Sequence, residues 1–129
     1  MSATEDEIMQ LSARLLRAID TADWATYEDL CDPSLTCFEP EACGQLVAGL
    51  AFHKFYFDLA AGTLPACRQS TMASPQVRVL GDVAVVTYVR LVQKLDAAGN
   101  PVTAAAQETR VWQRQPAGWK HVHFHRSPV

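Results

Sequence analysis

The sequence lacks several features that would assign it at once to a class of protein. It has no run of about eighteen apolar residues, so we expect no helix that spans a membrane. Its acidic N-terminus has no basic segment followed by an apolar one, which argues against a secretory signal. A glycine-rich phosphate loop, a nucleophile elbow and the kinase motifs are also absent. Because no secretory signal is expected, the cytosol is the expected compartment.

Positive charge and paired cysteines are scarce as well. The 129 residues carry 11 Lys and Arg against 14 Asp and Glu, a net charge of −3, which argues against a nucleic-acid partner. The 4 cysteines, at positions 31, 37, 43 and 67, match neither Cys-x-x-Cys nor a zinc finger. Without a secretory context we expect four reduced thiols that are buried as small apolar side chains.

The first half of the chain has the pattern of helices. Thr4 and Glu7 have the spacing of a capping box, and apolar residues at helical spacing then predict a long first helix. Asp23 is expected to cap a short second helix that contains Tyr27. A short strand is predicted at 35–38 and a turn at 62–65. The segment 46–60 favours a third helix, although its aromatic residues would also suit a strand.

The second half has the pattern of strands. Apolar, β-branched and aromatic residues are enriched in five runs separated by turn residues, at 69–73, 76–80, 83–95, 103–114 and 119–126. Such runs predict an antiparallel meander. Helices followed by strands indicate a single α+β domain over residues 1–129, with the helices packed on one face of a curved sheet.

Three arginines lie inside these predicted strands. Arg90, Arg110 and Arg126 share their strand faces with apolar or aromatic residues, and burying a guanidinium costs several kcal/mol unless an anion accompanies it. The pattern therefore predicts a cationic pocket, an internal ion-pair network, or both. The alternative is that each arginine reaches solvent or pairs with a carboxylate such as Glu108, Glu39 or Glu41.

Histidines are concentrated on the last predicted strand. Strict alternation would place His121, His123 and His125 on one face, and some zinc sites use such a geometry. No carboxylate or cysteine ligand stands beside them in the sequence, so we expect no metal site and no cofactor. His53 is isolated among aromatic residues and, with Tyr27, is a candidate for the concave side of the sheet.

Several motifs in register resemble one known family over nearly the whole chain. The sequence is similar to the association, or hub, domain of calcium/calmodulin-dependent protein kinase II. The motifs are Cys31-Asp32-Pro33, Phe38-Glu39-Pro40-Glu41-Ala42, Phe52-His53-Lys54-Phe55-Tyr56-Phe57, Tyr88-Val89-Arg90-Leu91, Glu108-Thr109-Arg110-Val111-Trp112 and Val122-His123-Phe124-His125-Arg126-Ser127.

The resemblance implies a fold, an assembly and a pocket. The fold is the cone of the nuclear transport factor 2-like superfamily, in which a long N-terminal helix packs in a strongly curved antiparallel sheet. Hub subunits pair into dimers that close into two stacked rings, usually of twelve or fourteen subunits, and so bring kinase subunits together. The family's arginine-lined pocket for small carboxylates corresponds to Tyr27, His53, Arg90, Arg110 and Arg126.

These implications leave three hypotheses about function. The first is a non-enzymatic oligomerisation module whose pocket binds a small carboxylate or another anion. The second is an isomerase, dehydratase or cyclase on the same cone, with Tyr27 or His53 as acid or base. The third is a regulatory partner that joins hub-bearing kinase subunits. The 129 residues include no kinase or calmodulin-binding segment, so we expect a stand-alone hub-like protein or an excised domain.

Overall fold

The computed structural model describes residues 1–62 and 67–129, which form three α-helices and one mixed sheet. The predicted turn at 62–65 extends outside the described residues. The helices are α1 Ala3–Asp20, α2 Trp24–Leu30 and α3 Ala51–Ala60, and the strands are β1 Cys31–Phe38, β2 Val47–Ala48, β3 Arg68–Leu80, β4 Val83–Leu95, β5 Pro101–Gln115 and β6 Gly118–Pro128. None of the described helices has the length and apolar character needed to cross a membrane.

The helix predictions are confirmed, but the first cap is different from the predicted one. Ser2, not Thr4, is the N-cap of α1, because its hydroxyl accepts a hydrogen bond from the backbone N–H of Glu5. Ser2 also donates from its hydroxyl to the Glu5 carboxylate, so the helix is capped two residues earlier than predicted. Asp23 caps α2 through Thr26, as predicted.

The sheet has the order β2-β1-β6-β5-β4-β3 and curves around α1. The meander from β3 to β6 is antiparallel, as predicted, whereas β1 joins β6 in parallel. The two runs predicted at 69–73 and 76–80 are one edge strand, β3, with an irregularity after Ala73. An edge position tolerates Pro75, which has no N–H to donate.

The core lies between α1, α2 and the concave face of the sheet. Ile8, Leu15 and Leu16 of α1 are almost fully buried, and Trp112 of β5 donates a hydrogen bond of 3.1 Å to the buried hydroxyl of Ser12. This core fixes α1 against the sheet, and a cavity stays open beyond the end of the helix, bordered by α2 and α3.

The expectation for the cysteines is only half right. All four are free thiols, and Cys31 and Cys37 are buried in β1, but Cys43 and Cys67 are exposed. Position in the fold decides the burial of these thiols. Cys43 and Cys67 are exposed because they lie outside the helices and strands that form the core.

Candidate functional site

One cavity of about 460 Å³ opens at the concave face of the sheet. All five residues that the sequence singled out for a ligand site line it: Tyr27, His53, Arg90, Arg110 and Arg126. Arg68 and Lys94 line this space in addition to the three arginines. Glu39 and Glu41 are acidic residues of the lining. Phe57 and Phe124 contribute apolar wall. The cavity is therefore basic at some points and apolar at others.

Arg110 is the most deeply buried of the arginines, with 1% of its side chain exposed. Its Nη2 lies 3.0 Å from Glu108 Oε1, and its Nε donates to the Tyr88 hydroxyl at 2.7 Å. The guanidinium also lies over the ring of Phe124, 4.5 Å from the centroid. The ion pair, the hydrogen bond and the aromatic contact together compensate the burial of the guanidinium.

Arg90 is compensated by two carboxylates. Its Nη2 donates to Asp20 at 2.7 Å, and its Nη1 lies 3.7 Å from Glu108 Oε2. Glu108 therefore stands between two guanidinium groups. Burial by itself would raise the pKa of Glu108, but Arg110 and Arg90 outweigh burial and lower that pKa. Glu108 is consequently ionised at neutral pH and forms the centre of an internal ion-pair network.

Arg126 has a different environment from the other two. Its side chain is 23% exposed, and its one ion pair among the described residues joins it to Glu41, whose side chain is 36% exposed. Exposed ion pairs are worth little because water screens both charges. Of the three arginines, Arg126 thus has the most exposed side chain and the least buried ion pair.

Tyr27 and His53 form the part of the wall that lies toward α2 and α3. Their ring centroids are 6.0 Å apart, and both residues are buried. Burial first, and Arg110 second, lower the pKa of His53 to about 4, so its imidazole is neutral at physiological pH. Burial raises the pKa of Tyr27, which keeps its hydroxyl protonated.

Sequence reasoning named Glu39 only as a possible partner of the arginines, yet Glu39 lines the cavity. Burial first, and the neighbouring Glu41 second, raise the pKa of Glu39 to about 7. Asp20, the partner of Arg90, was missed entirely. A signal for Asp20 existed, because it follows Leu16 by four residues and therefore continues the apolar face of α1.

The three histidines of β6 do not share a face, so strict alternation was wrong there. Val111 pairs with His123 whereas the next residue, Trp112, pairs with His121, so one extra residue of β6 is accommodated in a bulge. His121 is buried and stacks on Phe124 at 5.6 Å. His123 instead contacts the Thr36 hydroxyl at 2.7 Å. The bulge also puts Phe124 and Arg126 on the cavity side.

The comparison with protein families adds the decisive observation. Residues 4–129 match the family described as calcium/calmodulin dependent protein kinase II association domain. The chain belongs to this family. It is 44% identical over 127 residues to the type II alpha chain of the calcium/calmodulin-dependent protein kinase of Drosophila melanogaster, covering 98% of this association domain and 24% of that relative. The domain thus spans about a quarter of that curated relative.

Solved structures agree with the family over the full length of the association domain. The hub homology domain of C. reinhardtii is 48% identical, with a TM-score of 0.88 and coverage of 98% of this chain and 99% of that one. The association domain of C. elegans is 45% identical, with a TM-score of 0.90 and coverage of 97% and 95%.

More distant structures agree with the fold. A nuclear transport factor 2-like superfamily protein of Salmonella enterica is 25% identical, with a TM-score of 0.78, and covers 96% of this chain and 89% of that one. The predicted cone fold is confirmed.

Proposed function

We propose that this association domain is an oligomerisation module that assembles into a closed ring of dimers. The observation that carries the proposal is the match to the association domain family from residue 4 to residue 129. Structures named as hub or association domains align over almost their whole length with it. Closed rings satisfy every copy of an interface, which is why most soluble homo-oligomers have closed symmetry.

Exposed apolar side chains in two regions support this assembly. Leu46 is 54% exposed and Phe38 is 39% exposed, and we infer that ring contacts involve the 35–50 region to which both belong. Leu80, Leu95 and Val102 are exposed at the ends of strands. Obligate interfaces resemble a core cut in half, so these side chains are candidates for burial between subunits.

The test of assembly is native mass spectrometry together with size-exclusion chromatography and light scattering. A subunit has a mass of 14.2 kDa, and we expect a closed assembly of about twelve or fourteen subunits. A monomer at micromolar concentration contradicts the proposal. A retained small ligand would appear in the same mass spectrum.

The cavity of this module is proposed to bind a small carboxylate with an apolar body. Tyr27, His53, Arg90, Arg110 and Arg126 would line the binding site, with Arg126 as the direct anion partner. Arg90 and Arg110 already have internal carboxylates, whereas Arg126 is held by the exposed Glu41. A guanidinium suits a carboxylate because its N–H groups match both oxygens. Phe57 and Phe124 supply apolar contacts for the rest of the ligand.

Calorimetry with benzoate tests this second proposal, and neutral benzamide is the matched control ligand. Arg126→Gln should weaken benzoate binding by about tenfold or more, the value of one charge-assisted hydrogen bond. Glu41→Gln should strengthen benzoate binding, because it removes the competitor for Arg126. Opposite effects of the two variants separate a direct role from general damage. Absence of benzoate binding, or equal binding of benzamide, contradicts the proposal.

An enzyme on the same cone is the second candidate. Glu39 favours it, because a carboxyl whose pKa is raised to about 7 inside a ligand-sized cavity suits acid–base chemistry. The internal pairing of Arg90 and Arg110 favours the scaffold instead, since those guanidinium groups are already occupied. A proton-exchange assay on a carboxylate shown to bind tests the enzyme hypothesis, with Glu39→Gln as the variant.

Hub-bearing kinase subunits are proposed as further partners in the cytosol. The support is the similarity of this domain to a segment of kinase relatives that are about four times as long. A pull-down with a purified kinase association domain tests mixed assembly, and mass spectrometry of the eluate distinguishes mixed rings from separate ones.

A further inference from the structure

Three metal-ligating side chains from two parts of the chain meet at the wall of the cavity. Cys37 lies near the end of β1, Glu39 follows it by two residues, and His53 comes from α3. Cys37 Sγ lies 3.7 Å from His53 Nε2, and Glu39 Oε1 lies 3.6 Å from His53 Nδ1. One donor atom from each residue lies within 4.8 Å of the other two. Residues two apart on an extended segment point to the same side, which brings Cys37 and Glu39 toward the same imidazole.

The two distances end on different nitrogens of the His53 ring, and a metal ion would bind only one of these nitrogens, so one of the other two ligands has to move toward it. Zinc–ligand bonds are about 2.0–2.3 Å long, so tetrahedral donors lie roughly 3.3–3.7 Å from each other. With Nε2 as the metal-binding nitrogen, the separation of 3.7 Å from Cys37 Sγ already has that value, and the Glu39 side chain has to rotate to bring an oxygen to the same side of the ring. The contact of 3.6 Å between Glu39 and His53 is too long for a strong hydrogen bond, so binding a metal would not disrupt one there.

We propose that Cys37, Glu39 and His53 form a zinc-type metal site whose fourth position faces the cavity. Thiolate, imidazole and carboxylate are the three ligand types that zinc accepts, and three protein ligands leave one position for water or an anion. Cys37 and His53 are almost completely buried, and the side chain of Glu39 is 10% exposed. Burial holds Cys37 and His53 in place before the metal arrives, whereas Glu39 has to rotate.

The charges around the three ligands permit a divalent cation. Arg126 and Arg110 act on the Glu39 carboxylate, and Glu41 and Glu108 act on it with the opposite sign, so this ligand has both basic and acidic neighbours. The Cys37 thiolate and the Glu39 carboxylate would then neutralise the two charges of the metal. A coordinating thiol is deprotonated by the metal itself. An anion in the fourth position would face Arg126.

The metal site does not depend on the proposed anion binding. Benzoate binding is measured with EDTA present, and metal binding is measured without benzoate. Failure of one proposal therefore leaves the other standing.

Cobalt spectroscopy tests the metal site in the full chain. The parent protein for the test carries Cys43→Ser and Cys67→Ser, because those exposed thiols would bind metals adventitiously. One equivalent of Co²⁺, added after removal of EDTA, should give a near-ultraviolet thiolate-to-cobalt band and the intense visible bands of a four-coordinate ion. Cys37→Ala should abolish the thiolate band. Glu39→Gln and His53→Gln should each weaken Zn²⁺ binding at least about tenfold. Removing even a residue that only hydrogen-bonds to a metal ligand costs about that much, and these residues would be ligands themselves.

Cys31→Ala is the matched control variant. Cys31 is also buried in β1, and its Sγ lies 3.4 Å from the imidazole Nδ1 of His121. Among the residues that the structure describes, no carboxylate completes a three-ligand group with Cys31 and His121. The control should keep the thiolate band. If Cys37→Ala does not fold, Cys37→Ser replaces it in the cobalt measurement. The Zn²⁺ affinity of Glu39→Gln is then the second measurement. No thiolate band in the parent, or a band that persists without Cys37, overturns the proposal.

Discussion

At the scale of single residues, Glu108 is the side chain that makes the buried arginines possible. Its side chain is completely buried and lies between Arg110 at 3.0 Å and Arg90 at 3.7 Å. A buried ion pair is not by itself strongly stabilising, because both charges lose their water. Removing one partner is nevertheless costly, since the remaining charge has no compensation.

Glu108→Gln should therefore lower the free energy of unfolding by about 3 kcal/mol at pH 7. The native pKa of Glu108 is below its ordinary value of 4.5. Its stabilisation is complete above that value and is lost as the pH falls through the lower native pKa. The difference between the wild type and Glu108→Gln should consequently shrink below pH 4.5. Urea unfolding at a series of pH values measures it.

Glu28→Gln is the control for this prediction, because Glu28 is exposed on α2. Its effect on unfolding should stay within about 0.5 kcal/mol at every pH. Equal effects of the two substitutions would show that Glu108 does not compensate the arginines.

At the scale of elements, the bulge in β6 decides what enters the cavity. Trp119 and His121 point inward before the bulge, and Phe124 is the next residue that is buried. The extra residue changes the phase of the strand, so Arg126 lies on the cavity side together with Phe124. Alternation of apolar residues gave the right position of Arg126 here, but it assigned His121 to the wrong face.

The cap of α1 gives a prediction with its own control. Ser2→Ala should destabilise the protein by about 0.5–1 kcal/mol, because the hydroxyl of Ser2 accepts the hydrogen bond from Glu5 N–H. Thr4→Ala should have less effect, since Thr4 already lies inside the helix. Thermal unfolding of the two variants at equal subunit concentration measures the difference. A larger effect of Thr4→Ala would restore the cap predicted from the sequence.

At the scale of the whole molecule, the exposed apolar residues are the feature that a single subunit leaves unexplained. Leu46→Asp should shift the assembly toward smaller species, because it places a charge in the region proposed for ring contacts. Ala25→Asp is the control, since Ala25 is exposed on α2, outside that region. Light scattering measures the assembly mass of both variants, and circular dichroism checks that both are folded. An unchanged mass for Leu46→Asp contradicts a contact at this residue.

The sequence by itself determined the order of helices and strands, the α+β fold class and the inward arginines of β4 and β5. Helical and strand periodicities are local, and the burial of a guanidinium can be read from its strand neighbours. The family motifs extended this to the cone fold and to the five cavity residues, all of which line one space.

Only the tertiary structure decided which charges face each other. Asp20 meets Arg90 across 70 positions of sequence, and Cys37 and Glu39 meet His53 of α3 across the segment that contains β2. The bulge that separates the histidines arises from pairing between β5 and β6, which no local pattern in β6 encodes. Residues distant in sequence come into contact only when the strands pair and the helices pack on the sheet. A pattern within one segment therefore cannot predict these contacts.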